Sequence, residues 1–146
     1  MIIYQTNTPK NTLTEKEISE ISQFLHQHLE QFADSSTAIE KAIAFALKIK
    51  PSFGGFVMRA VEDQQLIGAV VVNRTGMSQY IPENILVYIA VHRDYRGRGI
   101  GKELMQEAIQ QCKGNIALHV ESGNPARKLY EKLGFRNKYL EMRLEK

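Results

Sequence analysis

Apolar residues recur at spacings of three and four through Ile18, Ile21, Leu25, Leu29 and Phe32, a period that gathers them on one side of a helix. Just ahead, Thr14 and Glu17 form a capping box, and Leu13 and Ile18 occupy the positions of a hydrophobic staple. The pattern predicts a helix that starts at Thr14 and runs for about five turns. A second Thr-x-x-Glu, Thr37 and Glu40, precedes Ala42, Ile43, Ala46 and Leu47, and Pro51 disfavours continuation past Lys50. Residues 1–7, Ile2-Ile3-Tyr4 included, read as a short first strand.

Beyond Pro51 the period changes. Phe56–Val61 and Leu66–Val72 are short and rich in β-branched residues, and the polar Glu62-Asp63-Gln64-Gln65 between them marks a hairpin. Ile85–Val91 is apolar at every position, as expected of a strand covered on both faces. Ile100, Leu104, Met105, Ala108 and Ile109 trace a third helix, and Ile116–Val120 a further strand, which together make a β-α-β unit. Asn124 as cap, Pro125 at the first helical position and Gly134 as the stop define a fourth helix. Tyr139–Leu144 reads as a closing strand. No repeat or linker divides the chain.

Composition changes this picture little. The length of 146 residues fits one domain. The net charge of +3 is small for that length, which argues against nucleic acid as the partner, although Arg93, Arg96 and Arg98 form a local basic cluster. The longest apolar run, Ile85–Val91, falls far short of the roughly twenty residues that cross a bilayer, and the N-terminus lacks the pattern of a secretory signal. No membrane association is expected. The lone Cys112 cannot form an internal disulfide, no Cys/His spacing suggests a metal site, and a reducing, cytoplasmic setting is expected.

The candidate chemistry lies where the buried strand meets the third helix. In Arg96-Gly97-Arg98-Gly99-Ile100-Gly101-Lys102 three glycines alternate with other residues. Lacking Cβ atoms, they allow successive backbone N–H groups to converge on an anion at a helix N-terminus. Arg93, Arg96, Arg98 and Lys102 add charge suited to a ligand with several phosphate oxygens. A Walker A loop would need Gly at Arg96 and Ser or Thr at Glu103, and a dinucleotide fingerprint would need Gly or Ala at Lys102. Neither fits.

Arg96-x-x-Gly99-x-Gly101, approached through Val91-x-x-x-Tyr95, resembles the Gln/Arg-x-x-Gly-x-Gly/Ala signature of the GNAT (Gcn5-related) N-acetyltransferase superfamily. Asn124, Ala126, Leu129-Tyr130 and Leu133-Gly134-Phe135 resemble its second landmark. The resemblance covers roughly residues 84–136, and the preceding β-α-α-β-β order matches the family's N-terminal half. It implies an α/β fold, counted as α+β in some schemes, with a mixed central sheet flanked by about four helices in a single domain spanning residues 1–146.

The resemblance further implies an acetyl-CoA-dependent N-acetyltransferase in which the amine attacks directly within a ternary complex. Backbone groups of Arg96, Gly97, Arg98, Gly99, Ile100, Gly101 and Lys102 would hold the pyrophosphate. The pantetheine would lie along Ile89, Ala90 and Val91, and Asn124 would contact the cofactor. Tyr130 falls at the family's tyrosine, placed to protonate the departing thiolate, with a core position on the fourth helix as the plain alternative. For the base, His119 and Glu83 are candidates beside Glu121, each with an ordinary reading as a polar residue at a sheet end. His26, His28 and His92 are weaker candidates, and Cys112 reads as an inert thiol. Arg93 stands where a proline is common in the family.

The resemblance implies an acceptor that is an amine-bearing small molecule or a protein amino group. Residues 1–50 carry five lysines against six acids and the rest of the chain is basic, an asymmetry that faintly favours a cationic amine. The short ending after Phe135 leaves room for completion by another subunit, so a homodimer is an open expectation. A non-catalytic acyl-CoA-binding regulatory module is the alternative from another functional class.

Overall fold

In the computed structural model, which describes residues 1–146, the first helix begins at its capping box. The Thr14 hydroxyl accepts from the Glu17 amide at 3.2 Å, and the Glu17 carboxylate accepts from the Thr14 amide at 3.0 Å. Two amides that a helix start leaves unpaired are thereby satisfied. α1 (Glu15–His28) turns Ile21, Phe24 and Leu25 inward. It stops four residues short of Phe32, because Glu30 adopts a left-handed φ of 56° and Glu30–Phe32 form a separate 3-10 turn. α2 (Ser36–Ala46) is capped by Ser35, whose hydroxyl accepts from Ala38 at 3.2 Å, and Thr37 lies inside the helix. Ser caps at least as well as Thr, so the second Thr-x-x-Glu placed the start two residues late.

Five strands follow the order β1 (Ile2–Asn7), β2 (Gly55–Glu62), β3 (Gln65–Arg74), β4 (Asn84–Val91) and β5 (Ile116–Leu118), antiparallel throughout except for the parallel β4–β5 pair. The β2–β3 turn puts Asp63 and Gln64 at φ 49° and 64°, the mirror-image turn whose twist suits a hairpin. Parallel pairing requires a crossover, and α3 (Ile100–Gln111) supplies it. α4 (Ala126–Lys132) follows β5 and starts one residue later than expected, with Pro125 rather than Asn124 at the cap, and Gly134, at a φ of 101°, stops it as expected.

Two apolar layers sandwich the sheet. α1 and α2 pack Ile21, Leu25, Ile39 and Ile43 against Val57, Val71, Tyr88 and Ala90. On the other face α3 and α4 pack Ile100, Leu104, Met105 and Tyr130 against Met58, Val70, Val72 and Leu86. β4 is therefore covered on both faces, as its unbroken apolar run implies.

Two expected strand segments differ. β5 ends at Leu118 rather than Val120, leaving His119 outside it. Tyr139–Leu144 is not a strand: the segment has no regular structure, and Tyr139, Leu140, Met142 and Leu144 are 78%, 82%, 90% and 84% exposed. A strand needs a neighbour to take its backbone hydrogen bonds, and this segment pairs with none.

Thr14→Ala removes one cap interaction, so we expect a loss of about 1 kcal/mol and a fall in Tm of about 2–4 °C. Thermal unfolding followed by circular dichroism checks this.

A candidate anion cradle beside an unpaired strand edge

β4 is paired along its length with β3 but only briefly with β5. The β5 partners are Asn84↔Ile116, Ile85↔Ala117 and Leu86↔Leu118, and beyond them the β5 side of Val87–Val91 has no ladder. A register shift lies at the same place: Val71 faces Tyr88 while Val72 faces Leu86, so Val87 is the extra residue of a bulge. Such an insertion increases local twist. It also leaves Val87 and Tyr88 both against the α1–α2 layer, while Ile89 and Val91 pack towards α3.

The chain leaves the open end of β4 through His92 and a single 3-10 turn, Arg93–Tyr95. Gly97 and Gly99 then adopt φ of 82° and 80°, a region that side chains strongly disfavour. A Cβ at either would meet no atom within 4 Å, so these glycines serve the backbone path and leave open space before it. No protein group accepts from the amides of Arg96 through Lys102; the first helical bond here is Glu103 N–H to the Gly99 carbonyl. Buried Ile100 anchors the turn. At Gly101 a Cβ would be 3.5 Å from Leu129 and from Val91, an ordinary packing distance. The result is a run of free donors at the positive end of α3, which suits an anion with several oxygens. An acyl-CoA pyrophosphate fits this donor set.

The basic side chains divide into two groups. Lys102 and Arg98 stay exposed, with the Arg98 guanidinium 4.9 Å from the Tyr95 ring centroid. Arg96 turns away from the cradle: its guanidinium donates to the His28 carbonyl at 2.7 Å, to Glu30 at 3.2 Å and to the Val91 carbonyl at 3.3 Å. Arg93 lies 3.6 Å from the same Glu30 carboxylate. Arg96 thus braces the loop against the end of α1, and of its groups only the amide faces the open site.

His28 and His92 complete that brace. Their rings lie 4.3 Å apart beside Phe24. His28 Nδ1 accepts from the Arg93 amide at 3.2 Å, and His92 Nδ1 accepts from the Asp94 amide at 3.1 Å. Burial, followed by the closeness of the His92 ring and the positive charge of Arg96 and Arg93, holds the His28 imidazole below its ordinary pKa, against the smaller opposing effect of Glu30. A neutral ring is what accepting at Nδ1 requires. His28 stands among Leu25, Leu29 and Phe32 on the apolar stripe, which was the sequence signal for its burial. Its partnership with the loop across 65 positions had none.

The remaining candidates are spread around this opening. Tyr130 is buried on the α3–α4 side. Desolvation raises its pKa, and its hydroxyl has no protein partner yet is not sealed from solvent. The Asn124 side chain accepts from the Ala126 amide at 2.9 Å, which fixes the start of α4. His119 is exposed, one residue past the last β4–β5 pair, and so flanks the open part of β4. Glu83 lies at the closed end instead. It accepts from the Asn115 amide at 3.2 Å, and a Cβ on Gly114 would fall 2.6 Å from its carboxyl carbon. Glu121 is exposed beyond β5. The Cys112 thiol is pushed up to about 11 by burial, which suppresses its nucleophilic form.

One pair had no signal in the sequence. Tyr88, beside the bulge, donates its hydroxyl to the Asp34 carboxylate at 2.6 Å across 54 positions. Burial first, then this bond, raises the Tyr88 pKa. The exposed Asp34, in the α1–α2 connection, is thereby held near the bulge on the face opposite α3.

The fold is thus a mixed α/β sheet with a partly unpaired inner strand and an amide-lined turn opening α3. The family model for the acetyltransferase (GNAT) family matches residues 16–135, and the chain belongs to that family. It is 38% identical over 55 residues to the cysteine-rich protein 2-binding protein of Mus musculus, covering 37% of this chain and 7% of that protein. It is 34% identical over 82 residues to the [ribosomal protein bS18]-alanine N-acetyltransferase of Haemophilus influenzae, covering 53% of each. The chain thus spans a small part of the first relative's length and about half of the second's. The solved aminoglycoside N-acetyltransferase AAC(6')-Iy in complex with CoA superimposes with a TM-score of 0.70 at 15% identity, over 100% of this chain and 95% of that one.

Because His28 is held neutral in the folded state, the unfolded chain takes up a proton first as pH falls. Stability from this group is complete above the unfolded value of about 6.5 and is lost as pH drops through the lower folded value. Melting temperatures measured from pH 8 to 5 should fall below about pH 6.5, and the fall should be shallower in His28→Gln. Equal slopes in the two proteins would count against this role.

Proposed function

We propose that the chain is an acetyl-CoA-dependent N-acetyltransferase that passes an acetyl group to a primary amine by direct attack in a ternary complex. The observation that carries this reading is the run of unpartnered amides from Arg96 to Lys102 lying beside the unpaired edge of β4. The amides suit a pyrophosphate, and the open edge of β4 along Ile89, Ala90 and Val91 offers backbone groups to an extended amide-bearing arm, with the Val91 carbonyl already taken by Arg96. Acetyl-CoA supplies an acyl group activated as a thioester.

Each residue then has a task the local physics supports. Arg98 and Lys102 add screened positive charge at the mouth of the cradle. Asn124 orders the loop that borders it. Tyr130 keeps its proton at neutral pH and presents an unsatisfied Oη, so it can donate to a leaving sulfur. His119 is exposed beside the open stretch of β4 and can take a proton from an incoming ammonium, whereas Glu83 is engaged in holding the β5 turn. Asp34, fixed by Tyr88 on the opposite face, suits a cationic acceptor. The names of the relatives set the range of acceptors to be tried, from a protein N-terminus to an aminoglycoside.

Calorimetry with CoA, followed by thiol release with a panel of a polyamine, an aminoglycoside and an alanine-ended peptide, tests the proposal. Absence of CoA binding overturns it, and binding without turnover of any amine favours the non-catalytic module. Tyr130→Phe should lower kcat by on the order of a hundredfold with CoA affinity retained within about twofold; equal kcat in the two proteins would remove the acid role. Asp34 is exposed, so its charge is worth little in water. Asp34→Asn should raise KM for the polyamine only a few-fold, leaving CoA affinity unchanged.

A further inference from the structure

His28 holds a place on α1 that packing alone does not explain. It is 7% exposed and lies on the apolar stripe beside Phe24, with 4.6 Å between ring centroids. A leucine there would bury as well and leave no polar atom to satisfy. The imidazole instead meets the loop that leads into the cradle: its Nδ1 accepts from the Arg93 amide at 3.2 Å. Arg93 opens the 3-10 turn that runs directly into Arg96–Lys102. The end of α1 is also tied to this loop by the Arg96 guanidinium, on the His28 carbonyl and on Glu30, and by the Arg93–Glu30 ion pair. Among these ties the bond to Nδ1 alone depends on an imidazole, the side chain suited to exchange a proton near physiological pH.

We propose that His28 is a positioning residue whose protonation state sets the affinity of the cradle for CoA: the neutral ring holds the Arg93–Tyr95 turn in the binding shape, and the charged ring releases it. The inference rests on the reading of the cradle as a CoA pyrophosphate site. A proton on Nδ1 turns the acceptor into a donor aimed at the Arg93 N–H, so two donors meet. It also sets a positive charge against the groups around the ring. From α1 and the turn after it these are Phe24 and the Glu30 carboxylate; from the loop they are the His92 ring at 4.3 Å and the Arg93 and Arg96 guanidiniums. The one carboxylate is already shared by both arginines. Displacement of the charged ring also removes the support of His92, whose Nδ1 accepts from the Asp94 amide of the same turn at 3.1 Å.

Two opposite effects on an anion follow. A further positive charge attracts it, but this field only adds to two guanidiniums already on the α1 side of the loop and is screened by salt. Loss of the turn's shape acts on the whole run of amides, whose convergence depends on the path through Gly97 and Gly99. Hydrogen bonds weaken steeply with misalignment, so the second effect wins and affinity falls with pH. By reciprocity, bound CoA keeps the ring neutral.

Calorimetry of CoA binding to the full chain and to His28→Asn, each at about pH 8 and about pH 5, tests this. Asn carries an amide oxygen as many bonds from the backbone as Nδ1 and does not titrate, while the titrating 3′-phosphate of CoA is common to both proteins. The ratio of Kd at the lower pH to Kd at the higher should be about threefold larger in the original chain than in the variant. Circular dichroism will show that each protein is folded at both pH values. NMR titration of the His28 ring gives a second reading that needs no variant, and decides if His28→Asn does not fold: its midpoint should drop by about 0.5 pH or more when CoA is bound. Equal Kd ratios in two folded proteins, or a ring that titrates alike with and without CoA, overturn the proposal and leave the cofactor reading intact. Absence of CoA binding at the higher pH overturns both.

Discussion

The early parting of β5 from β4 is the constraint on which the rest of this structure depends. β4 could have been an ordinary inner strand, since β3 pairs with it along its length and helices cover both faces. After Leu86↔Leu118 its other side carries backbone donors and acceptors without a strand partner. Unpaired strand edges invite adventitious association, and proteins normally cover or blunt them. Here the edge is left open beside a turn whose own amides are equally unpaired. The Val87 bulge coincides with the parting, which follows from the extra twist that such an insertion brings. Two sets of unmet hydrogen-bonding groups thus sit side by side on a backbone held rigid by fully buried Val70 and Val71.

That openness demands support from behind, and the end of α1 provides it. An isolated glycine turn with two left-handed residues has many conformations available, so its ordering carries an entropic penalty. Arg96 meets that penalty with three acceptors, and His28 receives the Arg93 amide. The side-chain charge most closely associated with the loop is therefore spent on Glu30 and on carbonyls. Attraction for an anion rests mainly on backbone donors and the α3 dipole, which do not titrate and need little reorganisation on binding.

Local features were legible in the sequence to the extent that neighbouring residues determine them. The Thr14 capping box, the β2–β3 hairpin, the apolar β4 and the Gly134 stop all depend on contacts within a few positions, and each lies where the pattern puts it. The cradle was readable because alternating glycines admit the left-handed backbone that other residues disfavour. What escaped was set at long range. Arg96 reads as a phosphate-facing cation until Glu30 and the end of α1 are brought beside it. Asp34 and Tyr88 meet only because α1 and α2 lie across the bulge. The 139–144 pattern is that of a strand, yet alternation specifies a face to bury and not the neighbour that buries it.

The same point bears on Tyr130, which can be read either as a core side chain or as the proposed proton donor. These readings share one physical cause. Removing the ring from water contributes to the α3–α4 packing, and that same desolvation disfavours the phenolate and raises the pKa. A more exposed tyrosine at this position would pack less and hold its proton less firmly. One hydroxyl left without a protein partner, at the rim of an otherwise apolar contact, therefore serves stability through its ring while keeping its proton available to a ligand atom. Removal of the hydroxyl alone leaves the ring packing in place, so stability and turnover are separable at this residue.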